Sequence, residues 1–454
     1  MLKTQPRLYD WVPHFEKMLY DNAQLACAYL NAFQCTGETF YGQIAQETLQ
    51  FIERELTHPQ SGFFSSLDAD SQGEEGKFYT WQAEEIESTL SADWQFFRAA
   101  YGISATGNWQ GQTILQRALD DSTLAARFDL PAAGAAVKLA ECHAKLLAVR
   151  NIRPRPNCDD KIITAWNGLT LSAFARAARA FPASKTENSP AGAAPDSSFS
   201  DLSGLHYLNL AVRSADFLLT ALRPAGKLLR AWRNGKSSGD AALEDYAALV
   251  LGLLDLYETD FNNRWFCAAR ELADEMIAGY SDPAGGFFDT LADGETLLLR
   301  PKDLQDNATP SGNALAAEAL LRLAALTDCA DYRARAEDAF RLIAENAVRY
   351  PTAYARWLSA VDFGLAQVKQ IAILGALEAD ETLKMLAVAQ DGYHPNRVVA
   401  FSTLPLTPGA PALLENRPLV GGNPSAYVCE GFTCKTPVTS ADALKALLKS
   451  TSVG

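Results

Sequence analysis

Long apolar runs are missing from this chain of 454 residues. The most apolar stretch, Ala241 to Leu256, is broken by Glu244, Asp245 and Asp255. It falls well short of the roughly twenty apolar residues that a membrane span needs. Residues 1–10, MLKTQPRLYD, hold no apolar core, so no export signal is expected. Basic residues are few: 40 Lys and Arg stand against 54 Asp and Glu, a formal net charge of −14. Binding a phosphate backbone takes concentrated Lys and Arg, so neither nucleic acid nor a membrane is expected as a main partner. There are five histidines. Tightly spaced metal ligands, a phosphate-binding glycine loop and a Cys-x-x-Cys pair are all absent, so no metal and no cofactor are expected. The eight cysteines are scattered. Without an export signal they read as reduced thiols of a cytoplasmic compartment. Cys429 and Cys434, five apart, leave a disulfide or half of a redox pair open beside the reading as ordinary thiols.

What is present is helical periodicity. The stretch Trp11 to Leu25 reads as the start of a helix, with Pro13 where a missing N–H is tolerated. Leu19, Ala23, Ala26, Leu30 and Phe33 follow at helical spacing, while His14, Lys17 and Asp21 share another stripe. A second helix over 38–57 closes a hairpin at Thr36-Gly37. Gly62 to Trp81 reads as two aromatic, β-prone arms around an acidic, glycine-rich turn. Residues 134–150 form a long helix, and Asp159-Asp160 caps the next, which packs through Trp166. Residues 182–204, rich in Pro, Ala, Ser and Gly, read as a flexible surface insertion. Helices resume at 206–222, 241–259, 263–280, 308–327, 331–348 and 352–365. After residue 366 the pattern becomes strand, helix, strand. The expected organisation is therefore a helical body over 1–366 and a small α/β segment over 367–454.

One echo organises the body. Gly62-Phe63-Phe64 and Gly286-Phe287-Phe288 each follow a helix and open a short hairpin, and Leu228 to Lys236 is a third such hairpin. Units of helix, hairpin-bearing loop and helix point to a ring of helical hairpins. In such a ring the first turns of the inner helices share one mouth.

Several motifs now carry a resemblance. They are Trp11 to Asn22, Ser66-Leu67-Asp68-Ala69-Asp70-Ser71, Glu74-Glu75-Gly76, Asp159-Asp160-Lys161 with Trp166-Asn167-Gly168, Glu244-Asp245-Tyr246, and Asn307 to Asn313. In this order they resemble the spermatogenesis-associated protein 20-like family over nearly the whole chain. The resemblance implies a thioredoxin-like domain followed by an (α/α)6 toroid of the six-hairpin glycosidase kind, also seen in the N-acylglucosamine 2-epimerase group. It implies a fold more firmly than a reaction. Two departures stand out. Only ten residues precede Trp11, and about ten ring helices can be read, fewer than six full hairpins. The chain is thus expected to be the toroid without its first hairpin and without the redox domain, with apolar surface exposed around 11–20. Gln116 also stands where the family would have a histidine.

Acid–base work on a sugar needs two carboxyl groups whose pKa values are pushed apart. The expected catalytic set is His14, Asp68, Asp70, Glu244 and Asp245. Lys17, Asp21, Trp109, Asp159, Lys161, Asn167, Trp232, Arg233 and Asn313 are expected as substrate contacts. The acids have a bland reading as turn and cap residues, and the tryptophans as core. Epimerisation by two histidines has little support, because only His14 sits among other polar candidates. Two functions stay open. In one, a sugar-like small molecule is bound or processed at the mouth. In the other, the toroid is a non-catalytic platform for a redox domain. Two carboxylates facing each other across about 5–10 Å of open cavity would favour the first.

Overall fold

The computed structural model describes residues 2–3, 12–131, 133–181, 204–294, 298–431 and 433–449, with side-chain surroundings from Pro13 onward. Of the insertion expected at 182–204, residues 182–203 lie outside them, and Gly204 is the first residue of a helix. β1 (Leu2–Lys3) pairs with β2 (Val12–Pro13), and β3 (Lys17–Met18) leads directly into α1 (Leu19–Thr36) and α2 (Thr39–Leu56). Three short strands follow: β4 (Ser66–Leu67), β5 (Asp70–Ser71) and β6 (Glu74–Glu75). Then come α3 (Ala83–Leu90), α4 (Trp94–Tyr101), α5 (Asp121–Arg127) and α6 (Gly134–Arg150). β7 (Cys158–Asp159) and β8 (Ile162–Ile163) precede α7 (Thr164–Ala180) and α8 (Gly204–Ala221). The hairpin β9 (Leu229–Arg233) and β10 (Lys236–Asp240) is followed by α9 (Leu243–Asp260), α10 (Asn263–Tyr280), α11 (Gly312–Thr327), α12 (Ala330–Arg349) and α13 (Ala355–Leu365). The last part holds β11 (Lys369–Leu374), α14 (Asp380–Gln390), β12 (Arg397–Ser402), β13 (Ser425–Glu430), β14 (Thr433–Cys434) and α15 (Ala441–Lys449).

The chain divides into two compact units, 1–18 with 66–159, and 19–65 with 160–454. In the first, α6 packs on α3 and α5 around Trp81, Ile86, Trp94, Phe97 and Leu139. The helix at 134–150 therefore belongs to this unit and not to the row of hairpins. The unit starts and ends its long excursion at one place, because Ser66 of β4 is the register partner of Asp159 of β7.

In the second unit α1, α7, α9, α11 and α13 lie side by side as an inner layer, and α2, α8, α10 and α12 back them. Each outer helix joins the inner helix before it into an antiparallel hairpin. This is the mainly helical (α/α) toroid type, with four complete hairpins and one further inner helix among the described residues. The three central inner helices, α7, α9 and α11, are buried over most of their surface, as helices covered on both sides must be. In α9 every residue from Asp245 to Glu258 is buried. α7 and α9 approach most closely, through glycine. A Cβ on Gly168 would stand 2.6 Å from the Ala248 carbonyl carbon, and one on Gly252 2.7 Å from the Gly168 oxygen.

The α/β segment is a four-stranded sheet in the order β12-β11-β13-β14. β11 and β12 run parallel with α14 between them, and β13 is antiparallel to β11. Register places Cys429 of β13 opposite Cys434 of β14, and the two are disulfide-bonded. The reading of this pair as ordinary thiols is thereby corrected; cross-strand pairing brings together what sequence separation leaves open.

Three local expectations also change. α1 begins at Leu19, because Lys17 and Met18 pair with Leu67 and Ser66. His14, Lys17 and Asp21 therefore share no helical stripe. Asp159 and Asp160 lie at the turn from β7 to β8 and cap no helix, since α7 starts at Thr164. Phe15 and Leu19 are buried, at 4% and 0% exposure, so the apolar exposure expected over 11–20 is not found there. Trp11 lies outside the described residues.

Candidate functional site

The echo seen in the sequence is a repeated structural joint. After α2, Thr57 bridges to Phe63, and after α10, Ser281 bridges to Phe287. His58 N–H bonds to the Gly62 carbonyl and Asp282 N–H to that of Gly286. An asparagine in the first turn of the next inner helix then clasps each phenylalanine. Asn167 accepts from Phe63 N–H at 2.8 Å and donates to Phe63 O at 3.0 Å. Asn313 accepts from Phe287 N–H at 2.8 Å and donates to Phe287 O at 2.9 Å. Both amides are fully buried and taken up by backbone, which accounts for them without a ligand.

Between these joints stands the hairpin β9–β10, turned at Asn234-Gly235, where both residues have positive φ. It presents Arg230, which donates to Glu244 at 2.8 Å and to Asp245 at 3.1 Å. Asp245 is wholly buried. Its Oδ2 accepts the Ala242 N–H, half of a capping box for α9, and its Oδ1 accepts the Ala165 N–H in the first turn of α7. One carboxylate thus caps two helices. Burial pushes Asp245 up to about 7, against the pull of Arg230 and the two N–H groups. Glu244 keeps a quarter of its side chain exposed (25%). The two acids converge on one guanidinium and do not face each other across a cavity.

The other first turns in this unit complete the picture. Tyr20 and Trp166 meet edge to face with centroids 4.7 Å apart. Gln24 of α1 donates to Ala308 O, just ahead of α11, at 2.8 Å. A Cβ on Gly312 would stand 3.1 Å from Glu244 N, so α9 and α11 touch at their starts. Asp289, near Glu244, is raised by burial. Arg233 is paired with Asp160 at 2.5 Å and is largely exposed. Asp21 is half-buried in the first turn of α1, and Lys161 is exposed. Trp232 is 7% exposed and packs on His58 and Phe217. Its expected role as a stacking platform gives way to core packing, because β9 turns it inward.

The remaining candidates belong to the first unit. Lys17 donates to His14 O at 3.0 Å and Phe15 O at 2.8 Å, and lies 4.0 Å over the Tyr79 ring. Burial, then Arg150, lowers it to about 8. Asp68 and Asp70 are exposed, and Asp68 accepts the Asp70 N–H at 3.3 Å in a turn. Asp159 is half-buried on β7. Trp109 is half-buried with its ring edge-on to Phe15 at 4.9 Å. The sequence reading missed Arg230. Period-two alternation along β9 puts it in step with the inward Trp232, which is the signal that could have found it.

Two layers of helical hairpins whose inner helices meet at their first turns define a helical-toroid protein. Along 96% of its own length the chain is 32% identical to spermatogenesis-associated protein 20 of Homo sapiens, and likewise to that of Mus musculus. It is 25% identical to the uncharacterized protein B0495.5 of Caenorhabditis elegans over 96% of its length. The chain is therefore a homologue of spermatogenesis-associated protein 20, and it spans 58% of the length of the human protein. No family model matches it. Among solved structures it is similar to a D-mannose isomerase, at 12% identity and a TM-score of 0.35, covering 74% of this chain and 76% of that one. It is also similar to the cellobiose 2-epimerase of Bacillus thermoamylovorans, at 9% identity and a TM-score of 0.36, covering 79% and 63%. At such scores no chemistry is carried over from them. Among the described residues no helix is long and apolar enough to cross a membrane, and no group of three or more His, Cys, Asp and Glu residues is arranged to hold a metal.

Proposed function

We propose that the helical unit binds a carbohydrate-like metabolite at the first turns of its inner helices, with Glu244 as the carboxylate that meets it. The observation that carries this reading is the contrast within one acid pair. Asp245 is sealed as a double cap, whereas Glu244 keeps solvent access and is held at 2.8 Å by Arg230. A carboxylate beside a guanidinium offers the paired acceptor and donor that vicinal hydroxyls use, and the Tyr20 and Trp166 rings at the same helix starts suit the C–H faces of a sugar. Glu244 is the group that exchanges a proton with the ligand, and Asp245 positions Arg230 beside it. Thermal shift against a panel of neutral mono- and disaccharides tests this. At least one sugar should raise the melting temperature saturably, and Glu244→Gln should weaken it about tenfold. A panel without response, or a response that survives both Glu244→Gln and Arg230→Gln, overturns the reading.

A second reading is a non-catalytic platform for a thioredoxin-like redox domain. It is favoured by the sealing of Asp245, Asn167 and Asn313 into backbone hydrogen bonds. The same panel separates the two, since a platform answers to no sugar.

A further inference from the structure

The inner helices carry a second polar cluster, centred late in α7 and α9 and well away from the Glu244–Arg230 pair. Asp255 lies eleven residues beyond Glu244 on α9, about 16 Å along the axis. Around it opens a cavity of about 200 Å³, lined by α1, α7, α9, α11 and α13 and by the segment that leads into β12.

Five arginines line this cavity, Arg176, Arg179, Arg322, Arg356 and Arg397, against three carboxylates, Asp255, Glu258 and Glu318. In a chain of net charge −14 this is a local excess of two positive charges (five minus three). His394 adds none at neutral pH, because burial, Arg397 and Lys369 lower it.

The carboxylates occupy only some of the arginines' donors. Asp255, 2% exposed, is shared by Arg176 at 3.0 Å, Arg322 at 3.1 Å and Arg179 at 3.4 Å. Burial alone would raise Asp255, but Arg176, Arg322 and Arg179 together hold it far below the usual carboxylate range. Arg176 uses its Nε there, and no partner among the described residues takes its two terminal nitrogens. Arg356 reaches Glu318 at 2.7 Å while its buried Nε has no hydrogen-bond partner. Arg397, the first residue of β12, makes no side-chain hydrogen bond or ion pair among the described residues. Burial lowers it to about 10, the mark of a guanidinium without an adequate counter-charge.

We propose that this cavity is a binding site for a small doubly negative oxyanion, a phosphate ester or a dicarboxylate. The planar forks of Arg176 and Arg397 match an oxyanion two bonds at a time, and two negative charges cancel the excess. Asn31, Gln34 and Ser359 offer neutral polar contacts, and Tyr393 and Phe363 an apolar wall for the body of such a molecule. The site stands independently of the sugar reading around Glu244.

The test is calorimetric titration and thermal shift of the whole chain with inorganic phosphate and with succinate, each against sodium chloride at matched ionic strength. One of the two should bind saturably where chloride does not. Arg397→Gln removes a side chain with no ion pair, so the fold should hold, and it should weaken that binding at least about tenfold. Arg397→Lys, which keeps the charge but loses the fork, should fall between. Arg341→Gln, on an exposed arginine of α12, should bind like wild type. Absence of saturable binding by both anions overturns the proposal. So does unchanged affinity in a folded Arg397→Gln variant, judged by circular dichroism.

Discussion

Asp245 accepts the backbone N–H of Ala165 at 2.8 Å across 80 positions of chain. The same carboxyl caps its own helix and meets Arg230. Replacing it by alanine leaves an orphaned N–H at the start of each of two inner helices and removes one of Arg230's two carboxylate partners. Asp245→Ala should cost about 3–5 kcal/mol in urea unfolding. Glu244→Ala, at a position that keeps a quarter of its side chain exposed, should cost about 1 kcal/mol or less.

The pH dependence of this group has a definite sign. Folded Asp245 is raised to about 7 by burial, while the unfolded carboxyl titrates near 3.8. Between those values the folded chain holds the proton more tightly. Its stabilising contribution is complete below about pH 4 and is lost as pH climbs to 7. Stability measured from pH 4 to 8 should fall more steeply in wild type than in Asp245→Asn. Parallel profiles would show that Asp245 is ionised throughout.

Lys17 has the opposite sign. Its folded pKa of about 8 lies below the ordinary 10.5, so its contribution to stability grows as pH rises from 8 to 10.5. After reductive methylation with ¹³C-formaldehyde, one dimethyl-lysine resonance should titrate near pH 8, and Lys17→Met should abolish it.

The two asparagine clasps should behave as equivalents. Asn167→Ala and Asn313→Ala each strand a buried phenylalanine N–H and carbonyl, so each should cost about 2–4 kcal/mol. Asn→Asp at either site should be no milder, because a buried carboxylate cannot donate to the carbonyl it replaces the amide against. Equal losses in the two variants, read by urea denaturation, would establish the joint as one device used twice.

At the closest helix contact, Gly168→Ala forces a Cβ to 2.6 Å from backbone, which cannot rotate away. A loss of about 1–3 kcal/mol is expected. In contrast, Ala→Gly at the exposed Ala330 should cost about 1 kcal/mol or less.

Much of this architecture is written in local pattern. The apolar spacing of α1, α9 and α11 and the Gly-Phe-Phe echo mark the hairpin row before any coordinate is known. What stays hidden is long-range pairing. Lys17 and Met18 look helical beside Leu19, yet pairing with Ser66 and Leu67 makes them a strand. The 134–150 helix has a good apolar face, but periodicity does not say which core that face joins. At the site, Glu244 and Asp245 stand out as acids in an apolar run. Their unequal burial, and the arginine that joins them, come from a hairpin that lies beside them only in space. Asn167 and Asn313 read as polar groups at helix starts, and nothing in a single sequence says that a phenylalanine backbone fills them.

The meeting of Ser66 with Asp159 has a consequence for how such chains diversify. Ninety-odd residues leave the hairpin row and return at adjacent backbone positions, so they form a cassette with a single doorway. A cassette of that kind can be exchanged, enlarged or trimmed by recombination at its two ends while the register of the helices before and after it is kept. A graft that joins Leu67 to Cys158 through a short turn is the laboratory version of the same event.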